Sequence, residues 1–128
     1  MDTSEKLKQC KKLLSILNQG NYVLVVEGKR DKAALRNVGI TCEVITATGK
    51  PEHIVNKIVQ LCVNGTKPAL LFDFDEAGEE HLTRLTELCL ASDCIVDVNL
   101  RKKFKLIFGM RCFEEVDNRF EKILQESE

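Results

Sequence analysis

The sequence has no excess of positive charge, no long apolar run and no paired metal-ligand spacing. Its 19 Lys and Arg face 20 Asp and Glu, for a net charge of −1. A globally basic nucleic-acid surface is thereby excluded, and any polyanion must be held by a local patch. No stretch approaches the roughly 20 apolar residues that span a bilayer. The segment Met1-Asp2-Thr3-Ser4-Glu5-Lys6 contains no apolar signal core, which leads to the expectation of a cytoplasmic protein with no membrane partner. Cysteines stand at 10, 42, 62, 89, 94 and 112, but none forms a C-x-x-C pair. The two histidines, His53 and His81, lie far from any cysteine pair. This spacing argues against a zinc site and for reduced thiols acting as small hydrophobes. Repeats, linkers and low-complexity segments are also missing.

What is present is an ordinary apolar fraction, 44% of 128 residues, enough for one domain with its own core. The chain is organised around Ala69-Leu70-Leu71-Phe72-Asp73-Phe74-Asp75-Glu76-Ala77-Gly78. A short apolar run bounded by turn signals predicts a strand buried on both faces. Asp73 and Asp75 then fall at its carboxyl end, where open α/β sheets place ligands. Two carboxylates one residue apart repel unless a cation lies between them. Hard oxygen donors suit Mg²⁺, with Mn²⁺ as the alternative, held by carboxylates together with substrate phosphate.

The rest of the chain alternates strands and helices. Residues 2–19 predict an amphipathic helix with Leu7, Cys10, Leu14 and Leu17 on one face and capping-box-like spacing at Asp2 and Glu5. Tyr22 to Glu27 is a near-continuous apolar run that ends in a carboxylate and Gly28, so it predicts a central parallel strand. Lys29, Arg30 and Asp31 open the next helix, with Ala33, Ala34, Leu35 and Val38 as its apolar side. Acid, glycine and lysine at a strand end suit a phosphate-facing turn. Thr41–Thr46 predicts a shorter strand. It leads into Thr48-Gly49-Lys50, which offers hydroxyl, backbone N–H and ammonium groups, and then into a helix begun by Pro51. A helix over 76–91 has Leu82, Leu85, Leu88 and Cys89 as its buried stripe and leaves His81 exposed. A fourth strand is predicted over Asp93–Val98. Arg101, Lys102, Lys103 and Lys105 form the densest positive run and open a helix, as a solvated face or a phosphate-backbone patch. Residues 113–126 predict a last amphipathic helix. This order predicts an α/β fold with about four mainly parallel strands flanked by helices. Residues 1–20 form a helix packed on the domain, 21–110 the core, and 111–128 a C-terminal helix. If the strands ending in Glu27 and Asp73 are neighbours, about 4.8 Å apart, their carboxylates share one cation or one substrate.

Val26-Glu27-Gly28-Lys29-Arg30-Asp31 together with Phe72-Asp73-Phe74-Asp75-Glu76-Ala77-Gly78 resembles the Toprim domain over about residues 22–109. That domain occurs in topoisomerases, bacterial-type primases, OLD-family nucleases, RecR-type repair proteins and the ribonucleases that mature 5S ribosomal RNA. Leu100-Arg101-Lys102-Lys103-Phe104 is similar to small stand-alone members. The resemblance implies a single Rossmann-like domain that processes nucleic acid. Glu27 matches the family's general acid/base and can also touch the metal. Asp73 and Asp75 match its Mg²⁺ ligands, and Gly28 and Gly78 its turn glycines. It further implies metal-dependent nuclease or related phosphoryl-transfer chemistry on RNA or DNA, with other nucleic-acid-processing proteins as possible partners. Phosphate contacts are assigned to Gly28, Lys29, Arg30, Thr48, Gly49, Lys50, Gly78, Arg101, Lys102, Lys103 and Lys105. Glu79 and Glu80 stand where many members carry a basic residue, so the rim is expected to be more acidic. The one tyrosine, Tyr22, begins a central strand, which argues against a topoisomerase-type covalent tyrosine. Two other readings fit the same acids. One is a non-catalytic nucleic-acid or nucleotide-binding module of a larger complex. The other is a haloacid-dehalogenase-type phosphatase with Asp73 as nucleophile, which the following Glu76-Ala77 and the preceding Glu-Gly strand disfavour.

Overall fold

The computed structural model describes residues 2–128. Helix α1 spans Thr3–Gln19, and the Asp2 carboxylate caps it by accepting from the Glu5 N–H at 2.8 Å. Strand β1 (Tyr22–Val26) leads into α2 (Lys29–Asn37), and β2 (Glu43–Thr46) into α3 (Pro51–Leu61), with Pro51 in its first turn. After a 3₁₀ turn at Val63–Gly65 come β3 (Lys67–Leu71) and α4 (Glu76–Ala91). Helix α5 (Asn99–Phe108), a 3₁₀ turn at Phe113–Glu115 and α6 (Val116–Glu126) complete the chain.

The sheet has three parallel strands in the order β2-β1-β3. Val26 pairs with Thr46 on one side and Leu71 on the other, so all three strands end together. Alternation of side chains splits the core in two. Leu24, Val26, Val44, Ala69 and Leu71 pack with α1, α2, α5 and α6. Val23, Val25, Ile45, Leu70 and Phe72 pack with α3 and α4. Helix α2 therefore leaves β1 toward one face and α4 leaves β3 toward the other. Between neighbouring strands whose helices part in this way, the backbone opens a crevice at the carboxyl ends.

The predicted fourth strand is absent as a strand. Asp97 makes one isolated parallel bridge to Ala69, with its N–H on the Pro68 carbonyl at 2.7 Å. Two features stop the ladder. Asp93 takes a left-handed φ of 58° just after α4, and the Asp97 carboxylate accepts from the N–H groups of Asn99 and Leu100 at 2.8 and 3.0 Å. The chain is thus turned into α5 one pair after it reaches β3. Ile95, an apolar residue of that segment, is 81% exposed. Ala33 also faces solvent, and its place in the α2 interface is taken by Asp31, which is buried. Among the described residues, no helix is long and apolar enough to cross a membrane.

Candidate functional site

Glu27 follows β1 directly, and Asp73 and Asp75 follow β3, so the three carboxylates meet at the crevice. Burial and the facing charge of Asp73, which lies close enough to share a proton with it, push Glu27 from the usual carboxylate range up to about 7. Asp75 and Asp31 add to the repulsion. Like charges held this close are costly unless a proton or a cation separates them. The backbone fixes the acids. Asp75 Oδ1 accepts from the Gly78 N–H at 2.7 Å as the N-cap of α4. Asp73 Oδ1 accepts from the Phe113 N–H at 3.1 Å. Asp31 Oδ2 accepts from the Gly28 N–H at 3.0 Å and braces the turn after Glu27; burial raises its pKa and the Gly28 bond opposes the rise.

Gly78 is required by close approach. A Cβ there would collide with the Asp73 carbonyl, so only glycine lets α4 start against the strand end. Gly28 is different: its backbone is extended and a Cβ would meet nothing nearer than Asp31 Oδ2 at 3.9 Å. Space above the Glu27-Gly28 turn is therefore open.

The basic run divides by direction. Arg101 is 3% exposed. Its Nε donates to the Phe72 carbonyl at 2.7 Å, and its Nη2 donates to the Asp73 carbonyl at 2.7 Å and to Glu79 Oε1 at 2.8 Å. The guanidinium also lies 4.3 Å from the Phe74 ring centroid. Arg101 is accordingly a clamp on the strand end rather than an open phosphate contact, and it offsets the charge of Glu79, half of the acidic rim expected from sequence. Lys105 stands over the other part of Phe74, 4.9 Å from its centroid. With Arg111 and Cys112 it lines a cleft of about 430 Å³ that contains Asp73 and Asp75. Lys102 and Lys103 point away from this cleft, into grooves on either side of α5. Lys29 and Arg30 are exposed at the start of α2, and Thr48, Gly49 and Lys50 are exposed after β2, at the same end of the sheet but on the far side of β1 from Asp73.

Four participants are not evident from sequence. His81, expected in solvent, stacks on Phe72 with centroids 4.2 Å apart and planes 10° apart. Its Nδ1 lies 4.0 Å from Glu27 Oε1. Burial lowers its pKa, which favours the neutral imidazole beside Glu27. The second is the 3₁₀ turn at 113–115, which supplies an N–H to Asp73. The third is Arg111, whose carbonyl accepts from the Phe74 N–H at 3.3 Å. The fourth is Cys112: its thiol donates to Glu115 Oε1 at 3.2 Å, and burial and that carboxylate push it up to about 12, so it is no nucleophile. An i+5 position on α4 and a residue beyond Gly109 carry no local signal that would reveal them.

The donor type, though not a gathered ligand set, suits a divalent cation. The donors are hard carboxylate oxygens, and Mg²⁺ commonly takes one or two of these with water and substrate phosphate completing its shell. Among the described residues, no group of three or more His, Cys, Asp or Glu is placed so that it could hold a metal ion, and one oxygen each of Asp73 and Asp75 is already held by a backbone N–H group.

No family model matches the chain. A UPF0292 protein of Thermococcus sibiricus is 33% identical over 104 residues, which cover 81% of this chain and 80% of the relative. Another from Thermococcus onnurineus is 32% identical, over 81% of this chain and 76% of its own. A solved structure of a protein from Aquifex aeolicus shares 32% identity, covers 89% of this chain and 97% of its own, and superposes with a TM-score of 0.64. With a third of its residues shared over four-fifths of both chains, the protein belongs to the UPF0292 family.

Proposed function

We propose that the protein is a small Toprim-type protein that handles nucleic-acid phosphate with a divalent cation, as a nuclease or related phosphoryl-transfer enzyme on RNA or DNA. The observation that supports this best is the crevice between β1 and β3, where Glu27 meets Asp73 and Asp75 and is pushed up to about 7. Asp73 and Asp75 would hold Mg²⁺ or Mn²⁺, and the ion would supply neutralisation of charge on the phosphate. Lys105 and Arg111 flank that position and suit the phosphate oxygens. Glu27, with a pKa near working pH, suits the holding and release of a proton. Open space above Gly28 leaves room for backbone contact to the same phosphate.

A second reading is a binding module without turnover. It is favoured by the shortage of free cations at the cleft: Arg101 is consumed by the fold and Lys102 and Lys103 face elsewhere. The experiment is a Mg²⁺ titration by amide NMR with wild type and Asp73→Asn in parallel, followed by incubation with labelled RNA and DNA. Shifts clustered at Glu27, Gly28, Asp73, Asp75 and Gly78 that vanish in Asp73→Asn, plus Mg²⁺-dependent cleavage lost in Glu27→Gln, are expected. Metal-dependent binding without product selects the second reading. No localised shifts, with or without an oligonucleotide, sinks both.

A further inference from the structure

A wide groove lies beside the acidic crevice. It has a volume of about 900 Å³ and runs between α4 and α5, within the range of small-ligand sites. Leu82, Thr86 and Val98 line it, and Leu106, 74% exposed, stands at its mouth. It adjoins the acidic cleft, with Phe74 and Lys105 lining both. Lys102 and Lys105 give its α5 rim a positive charge, opposite Glu79 and Glu87 on α4.

The chemistry of the groove narrows its occupant. The hydroxyl of Thr86 is buried and has no hydrogen-bond partner. Thr86 lines the groove, and its hydroxyl makes no bond that a guest would have to break. A purely apolar guest, such as the nonpolar face of a partner helix, would leave it unsatisfied. A flat group with an apolar face and a polar edge satisfies both the aliphatic lining and the hydroxyl. Where the groove meets the cleft it presents Lys105, so a guest joined to an anion finds a cation at that junction.

We propose that the groove receives an unpaired nucleobase adjoining the phosphate held at the crevice, so that the site takes single strands or frayed strand ends in preference to an intact duplex. A paired, stacked base cannot enter such a groove without first leaving its helix. This inference rests on the reading of the crevice as a nucleic-acid site.

The test is methyl NMR of the full chain, labelled at Leu and Val, with Mg²⁺ and either a short single-stranded oligonucleotide, the matching blunt duplex, or inorganic phosphate. The single strand is expected to shift the methyls of Leu82, Val98 and Leu106. The duplex and phosphate should leave them still. Leu106→Glu, at an exposed position that tolerates charge, should weaken single-strand binding by about tenfold, the scale of one lost base contact. Its Mg²⁺ shifts at Asp73 and Asp75 should be unchanged. Shifts confined to the crevice, or equal groove shifts with the duplex, overturn the inference and leave the proposed function standing. Failure of every oligonucleotide to bind removes both. A groove that responds only to a helical peptide overturns the base and points to a protein partner.

Discussion

Glu27 and Arg101 show how one residue's surroundings reverse its ordinary meaning. A glutamate raised to about 7 keeps its proton in the folded state over a range where the unfolded chain has lost it. Its contribution to stability is therefore complete below the usual carboxylate pKa and is lost as pH rises through about 7. Without metal, wild type should lose about 1 kcal/mol relative to Glu27→Gln between roughly pH 5 and 8, a figure reduced for the partial exposure of the group. Thermal melts of the two proteins across that range measure it. The difference isolates Glu27 from Asp31, which shifts the same way, and from His81, where burial acts in the opposite sense. Arg101→Ala leaves two strand-end carbonyls without their donor and should cost about 2–4 kcal/mol in urea unfolding. Lys102→Ala and Lys103→Ala, both on exposed surface, should stay within about 0.5 kcal/mol of wild type. An equal effect at all three positions would contradict the clamp.

At the scale of elements, two junctions govern the site. The start of α4 must press against the end of β3, and Gly78 is the contact. Gly78→Ala should destabilise by roughly 1–3 kcal/mol through overpacking against backbone, and should weaken any Mg²⁺ response more than it lowers the melting temperature, because it moves Asp73 and Asp75 directly. The second junction is the entry to α5. Asp97→Ala removes both of its capping bonds and should cost about 1 kcal/mol. Amide exchange read by NMR should then speed up across 98–101, while β1 remains protected. The alternation of strands and helices was legible because period-two and period-3.6 apolar patterns are local properties of the chain. The missing fourth strand was not legible. Ile95-Val96-Asp97-Val98 has strand composition, and only the backbone turn at Asp93 and the capping by Asp97 prevent pairing.

For the whole molecule, the C-terminal segment is part of the core. Phe113, Val116 and Ile123 join the same apolar cluster as Leu14, Phe104 and Phe108, and the Phe113 N–H holds Asp73. Removing residues 109–128 should abolish a cooperative unfolding transition by circular dichroism; a sharp transition in the truncated chain would show that the segment is an appendage. With few cations at the crevice and a net charge of −1, oligonucleotide affinity should fall only shallowly with salt, in proportion to the small number of phosphates neutralised.

The sequence by itself determined the parallel α/β framework and the two strand ends that carry acid, since apolar runs closing on Glu27-Gly28 and Asp73-Phe74-Asp75 specify buried strands with charge at their mouths. Only tertiary structure decided that β1 and β3 are neighbours, that His81 and the 113–115 turn close around the crevice, and that Arg101 belongs to the fold while Lys105 faces the acids. Those outcomes depend on which faces α2 and α4 cover and on the rotation of α5 against β3, and contacts between residues so far apart in the chain leave no pattern in the local sequence.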